Sequence, residues 1–116
     1  MHEMSLVMSI WDILESELEK KQYRLINEIE LEVGESLGVV SEYLVTCFDV
    51  VKVERSETKN TLLNITNRKS IAECNQCKTK WNFKDSWYIC PNCGISDSEI
   101  IEGKGINILS MEIEEK

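Results

Sequence analysis

The sequence predicts an α+β fold in which two helices pack on a small three-stranded sheet, with a four-cysteine loop inserted between two of the strands. Apolar residues recur at three- and four-residue steps in two segments and at two-residue steps in three others. Two Cys-x-x-Cys pairs stand close together in the second half of the chain. A chain of 116 residues can build one core with a small appended module, but not two full cores.

The first predicted helix covers about residues 4–21. Its apolar stripe contains Met4, Val7, Ile10, Trp11, Leu14 and Leu18. Asp12, Glu15 and Glu19 fall on the opposite side, which is the pattern of a helix with one buried face. We expect this stripe to pack in the core.

A strand is predicted from Arg24 to Val33, because the period changes to two. Its apolar face contains Leu25, Ile29, Leu31 and Val33, and glutamates occupy the positions between them. The glycines at the two ends of residues 34–38 indicate a turn after this strand.

The second helix is predicted from Ser41 to Val51. Leu44, Cys47 and Phe48 follow helical spacing, although several β-branched residues in this segment weaken the helical preference. The pattern places Cys47 on the buried face, so we expect it to be a small core residue and not a metal ligand.

Two further strands complete the predicted sheet. One covers 61–66, after a polar loop at 54–60, and the other runs from about Ile106 to Glu114. The alternation of the last strand slips at Leu109, which indicates a bulge. We therefore expect a core formed by residues 1–69 and 105–116, with an insertion at 70–104.

Four of the five cysteines form a motif for metal binding. Cys74 and Cys77 are separated by twelve residues from Cys90 and Cys93, a spacing typical of tetrahedral zinc sites. Pro91 stiffens the second pair. Because an insertion this short cannot bury much apolar surface, the metal would be structural, with an apparent contribution of roughly 10–16 kcal/mol.

Three other interpretations of the cysteines remain open. Iron suits an all-sulfur tetrahedron as well as zinc does. Two disulfides would need an oxidising compartment. A redox dithiol would need only one of the two pairs, which leaves the second unexplained.

The composition argues against several classes of protein. The formal charge is −8, and four thiolates around one Zn²⁺ would add roughly −2, so phosphate backbones are repelled unless basic residues cluster. Lysines do alternate with Trp81, Phe83, Trp87 and Tyr88 near the cysteines, but these aromatics are more simply the small core of the insertion. We expect no nucleic-acid partner.

We also expect a cytoplasmic protein with no membrane contact. The first segment has no Lys or Arg before residue 20, unlike a signal peptide, and no stretch has the roughly 20 apolar residues that span a bilayer.

The only histidine, His2, follows Met1 directly. The α-amine, a backbone amide and the imidazole of His2 can reach one cation, and such a nitrogen set suits Ni(II) or Cu(II) better than tetrahedral zinc. By itself the pair is a weak signal, and an ordinary N-terminal residue is the simpler interpretation.

The start Met1-His2-Glu3 together with the two cysteine pairs resembles the HypA/HybF family of nickel metallochaperones. The similarity extends over essentially the whole chain, including the order of helices and strands and the closing strand around Ile106 and Ile108.

The resemblance implies nickel at Met1, His2 and Glu3, and zinc on Cys74, Cys77, Cys90 and Cys93. It also implies that a HypB-type GTPase is a partner, that the [NiFe]-hydrogenase large subunit receives the nickel, and that urease maturation proteins are partners of some members. Nickel would be cargo and zinc a structural ion.

Two other function classes make different demands on the chain from those of a nickel carrier. A zinc-ribbon interaction module would bind its partner regardless of His2. An enzyme would need an acid–base or nucleophilic constellation, and with no other histidine and four cysteines committed to metal we expect no catalysis.

Overall fold

The computed structural model describes residues 3–20 and 23–115. In chain order its elements are α1 (Glu3–Lys20), β1 (Tyr23–Gly34), α2 (Ser41–Val51), β2 (Leu62–Arg68), β3 (Ile71–Cys74), β4 (Lys80–Asn82), α3 (Phe83–Ser86), β5 (Ser98–Glu102) and β6 (Ile106–Glu115). Short 3₁₀ turns occupy Glu35–Leu37 and Lys52–Glu54. No described helix is long and apolar enough to cross a membrane.

One sheet has the strand order β2-β1-β6, and α1 packs against α2. The α+β class predicted from the sequence is therefore confirmed. Both helices contribute fully buried side chains, among them Ile10 and Leu14 from α1 and Leu44 and Phe48 from α2.

The apolar stripe of α1 is buried from Leu6 to Leu18, as its spacing predicts, with one exception. Met4 was expected in the core, but its side chain is 40% exposed. It lies in the first turn of α1, before the first buried position at Leu6.

The burial pattern of β1 departs from strict alternation. Ile29, Leu31 and Val33 are buried as predicted, but Ile26 is buried where Leu25 was expected, and Leu25 is only partly covered. The reason is a long-range contact: the Ile26 N–H donates to the Glu57 carbonyl, and its own carbonyl accepts from the Thr61 hydroxyl at 2.5 Å.

The second helix has the predicted bounds. Leu44 and Phe48 are buried, whereas Cys47, expected in the core, is only partly buried at the margin of the apolar face.

In β6 the partly buried residues have even numbers up to Ile108 and odd numbers from Met111, and Leu109 between them is 55% exposed. The change of parity agrees with the slip predicted there.

A second three-stranded sheet, of order β4-β3-β5, lies within the segment predicted as a loop. Its register aligns Ala72 with Trp81 of β4 and with Ile100 of β5, and an irregularity follows Ile71 in the pairing with β5. This sheet and the short helix α3 were missed, because strands of three to five residues leave little periodicity to detect.

The described residues divide into two compact units. The first comprises the described parts of Met1–Leu31, Val39–Ile65 and Ile108–Lys116, and the second comprises Glu32–Gly38 and Thr66–Asn107. The expected boundaries at residues 69 and 105 remain a prediction about independent folding.

Candidate metal centre

The four predicted ligands come together at one point. The Sγ atoms of Cys74, Cys77, Cys90 and Cys93 all lie within 4.8 Å of one another. Cys74 Sγ is 3.6 Å from Cys93 Sγ, and Cys77 Sγ is 3.5 Å from Cys90 Sγ. Metal–sulfur bonds of about 2.3 Å at tetrahedral angles require sulfurs roughly 3.8 Å apart, so the cluster fits one tetrahedral ion.

Each Cys-x-x-Cys pair forms a tight turn around its first sulfur. The Cys77 N–H points to Cys74 Sγ at 3.5 Å, and the Cys93 N–H points to Cys90 Sγ at 3.4 Å. Backbone amides directed at sulfur stabilise the thiolate that a metal needs.

Both turns end in a left-handed residue. Lys78 has φ 64° and Gly94 has φ 75°, and their N–H groups donate to the carbonyls of Cys74 and Cys90. The two pairs therefore share one backbone conformation, although only the second has a glycine at this position. In the sequence, Gly94 indicates this backbone conformation, whereas a lysine gives no sign of the positive φ at position 78.

Hydrogen bonding favours the charged form of two of the sulfurs. Bonds from the side chain and backbone of Thr79, and from the Asn92 amide, lower the pKa of Cys77 to about 5. Desolvation opposes the ionisation of Cys90, but amides of Cys93 and Asn92 outweigh it and lower its pKa.

Cys93 behaves differently. The Ile95 amide stabilises its thiolate, yet desolvation and the three neighbouring thiols together raise the pKa of Cys93 to about 12. The four sulfurs are too close to ionise together without a cation, so binding of a divalent ion must release protons.

Asp97 joins the two halves of the site. Its carboxylate accepts from Asn75 Nδ2 at 2.9 Å and from Gln76 Nε2 at 3.0 Å, and its carbonyl accepts from the Asn75 N–H. These side-chain bonds lower the pKa of Asp97. The sequence does not predict this role of Asp97, because nothing local connects it to the first cysteine pair.

The aromatic residues between the cysteine pairs have two different environments. Trp81 and Phe83 are buried, and Ala72, Cys74, Trp81 and Cys90 form the small core behind the sulfurs. Trp87 and Tyr88 were expected in that core, but they are 64% and 47% exposed. Trp87 contributes its backbone instead, because its carbonyl accepts from Trp81 Nε1 at 2.9 Å.

Two of the lysines near the cysteines lie beside carboxylates. Lys80 Nζ is 3.9 Å from Glu73, and Lys84 Nζ is 3.6 Å from Glu35. Nearby negative charge therefore offsets part of the basic character noted in the sequence.

The predicted nickel residues lie at the start of the chain. Met1 and His2 are outside the described residues, and Glu3 is the first residue of α1, with a partly buried side chain. Within residues 3–20 and 23–115, the four cysteines are the one group of at least three potential ligands placed to hold an ion.

Comparison with known proteins connects this geometry to a family. The profile described as hydrogenase/urease nickel incorporation, metallochaperone, hypA matches residues 1–113. The chain belongs to the HypA family. Members of this family are metallochaperones and not enzymes, and they act in the incorporation of nickel into hydrogenase or urease.

Individual relatives agree with the family match. The hydrogenase maturation factor HypA of Alkalilimnicola ehrlichii is 32% identical over 98% of this chain and all of its own length. HypA of Pelodictyon phaeoclathratiforme is 31% identical over 100% of this chain and 98% of its own. The solution structure of the nickel metallochaperone HypA from Helicobacter pylori has a TM-score of 0.76 at 25% identity, with full coverage of both chains.

Proposed function

We propose that this chain carries Ni(II) at its N-terminus and delivers it to the [NiFe]-hydrogenase large subunit during maturation. The observation that carries the proposal is the position of the only histidine, His2, directly before the first residue of α1 in a chain of the HypA family. Met1, His2 and Glu3 would form the site.

The start of a helix suits such a site. The first amides of a helix have no intrahelical acceptor, so metalation of the His2 or Glu3 amide breaks no structural hydrogen bond. Deprotonated amides also neutralise Ni²⁺, whose charge would otherwise oppose the positive end of the helix dipole.

The chelate geometry favours release of the metal. The His2 amide is the centre of short rings to the α-amine, the imidazole and the Glu3 amide, but a square plane gives that centre only two cis neighbours. One of these three donors therefore does not bind the metal, and water, the Glu3 carboxylate or a partner's side chain takes its place. An incomplete ligand set lets a carrier exchange its cargo.

We infer Zn²⁺ as the ion of the four-cysteine centre. The support is the all-sulfur ligand set with two sulfur pairs at 3.5 and 3.6 Å. Iron has the same geometric requirement as zinc. Metal analysis of protein purified under reducing conditions would test the choice, and zinc predicts that iron–thiolate absorption is absent.

The proposed setting is the cytoplasm, with a HypB-type GTPase as partner and with urease maturation proteins as further partners. Membership of a family that serves hydrogenase or urease supports these partners.

A Ni(II) titration of the zinc-loaded protein tests the nickel site. The native chain, the His2→Ala variant and a form with one added N-terminal glycine would be compared. We expect tight binding by the native chain alone, because the other two lose the imidazole or displace the amine. Equal binding by all three forms, or no binding by any, would contradict the proposal.

A further inference from the structure

Strand β2 lies at one edge of its sheet, and a groove separates it from the start of α2. The groove has a volume of about 450 Å³ and is lined by Ser41, Glu42, Val45, Leu63, Asn64 and Ile65. All six residues belong to the first compact unit. The volume is within the range typical of ligand-binding clefts.

The lining is apolar on the side of the groove that faces the core. Leu63 is buried, whereas Val45 and Ile65 are only partly covered, so α2 does not close over the strand. Leu62, the strand neighbour of Leu63, is 60% exposed, and strand alternation directs it to the opposite face of the sheet.

The strand also offers backbone hydrogen bonds. Among the described strands, only β1 pairs with β2, and an edge strand presents unpaired N–H and C=O groups along its outer side. An added strand would continue the sheet, with alternate side chains directed toward the groove and toward the opposite face.

Negative charge lies on both sides of this edge. Glu42 lines the groove, and on the strand face Asn64 Nδ2 donates to both Glu28 and Glu30, at 2.6 and 2.8 Å. Because the Asn64 amide is neutral, it does not compensate these two carboxylates, so an added strand meets a field that favours Lys or Arg.

We propose that the β2 groove binds an extended peptide segment of a partner protein by strand addition. The segment has apolar side chains at alternating positions, seated between α2 and β2, and basic residues between them. Binding is independent of nickel, so its failure would leave the N-terminal site unaffected.

Three synthetic probes separate strand pairing from charge attraction. The first is an acetylated and amidated heptapeptide of alternating Lys and Val, and the second has Glu in place of Lys. The third is the Lys–Val peptide with the backbone amide of every residue N-methylated, which keeps the charge but leaves no residue N–H to donate in a β-ladder. Each would be titrated into the full-length, zinc-loaded chain and followed by amide chemical shifts.

We expect the Lys–Val peptide to cause saturable shifts at Leu62–Ile65 and Val45, with binding at least about tenfold tighter than that of the other two peptides. Val45→Thr, which keeps the side-chain shape but places a hydroxyl in the groove, should weaken binding roughly fivefold. The matched control is Val50→Thr on the same helix, at a position 62% exposed and outside the groove, and it should have no effect.

Several results would overturn the proposal. If the N-methylated peptide bound as tightly as the Lys–Val peptide, charge attraction alone would explain the binding. If the Lys–Val peptide caused no amide chemical-shift changes at Leu62–Ile65, the groove would not be a peptide-binding site. If the amides of β2 were protected from hydrogen exchange in the peptide-free protein and its molecular mass were doubled, a second copy of the chain would be the occupant of the groove.

Discussion

Lys78 and Gly94 hold the same backbone conformation at equivalent places in the metal centre. Each follows the second cysteine of its pair and donates its N–H to the carbonyl of the first. A residue with a Cβ is strained by about 1 kcal/mol or more in the left-handed region, whereas glycine is not. The first turn therefore contains strain that the second avoids.

Exchanging the residue type at these two positions should have opposite effects. Lys78→Gly removes the strain, and Gly94→Ala introduces it without a steric clash, because no atom lies within 4 Å of a Cβ at Gly94. We expect zinc affinity to rise up to about fivefold in the first variant and to fall about fivefold in the second.

Competition with a chromophoric chelator at fixed pH would measure both affinities. Lys80→Gly, which removes a nearby lysine charge outside the left-handed turn, is the control for charge. If both exchanges weaken zinc binding alike, backbone strain is not the cause.

At the scale of elements, the end of β1 passes close to the segment between β5 and β6. The Gly34 N–H donates to the Gly105 carbonyl at 2.8 Å, and a Cβ at Gly34 would overlap the Gly103 carbonyl oxygen. Ser70 is fully buried at the same junction and donates its hydroxyl to Gly103 at 2.8 Å. This contact requires a residue without a side chain at position 34.

Gly34→Ala should therefore destabilise the second compact unit by about 3 kcal/mol, since backbone must move to make room. Gly38→Ala is the matched control: Gly38 has φ 65° but open space around it, so the cost should be only about 1 kcal/mol. Chemical denaturation followed by the fluorescence of Trp81 and Trp87 reports on this unit when Trp11, in the first unit, is replaced by Phe in the parent and in both variants. Equal costs for the two variants would show that the close approach is not limiting.

The elements also show where local sequence is sufficient to predict structure. The bounds of α2 follow from its own spacing, and the four cysteines meet as their motif predicts. The displaced burial at Ile26 depends on Glu57 and Thr61, more than thirty residues away, and therefore leaves no trace in local periodicity.

The same reasoning explains the errors near the metal. The spacing of the cysteines fixes which sulfurs meet, but not which aromatics lie behind them. Trp81 is buried because β4 pairs with β3, whereas Trp87 is exposed by a turn with φ 49° that no residue type in the segment indicates.

At the scale of the whole molecule, we expect the two compact units to depend on metal to different degrees. The core of the second unit around the sulfurs consists of Ala72, Cys74, Trp81 and Cys90, with Ile100 against it, and two of these residues are predicted metal ligands. The first unit buries the apolar faces of α1 and α2 without any cysteine ligand.

Removal of the metal should therefore unfold one unit and spare the other. On treatment with a strong chelator under reducing conditions, we expect β3, β4 and β5 to lose protection from hydrogen exchange, because four unpaired thiols cannot replace the binding energy of the ion. The buried amides of α1 and α2 should keep their protection, and added Zn²⁺ should restore the rest. The Cys77→Ser variant should show the same selective loss without chelator. Loss of protection in α1 and α2 as well would mean that the first unit relies on the metal-bound insertion for its stability, and the expected boundaries at residues 69 and 105 would then not mark independent folding.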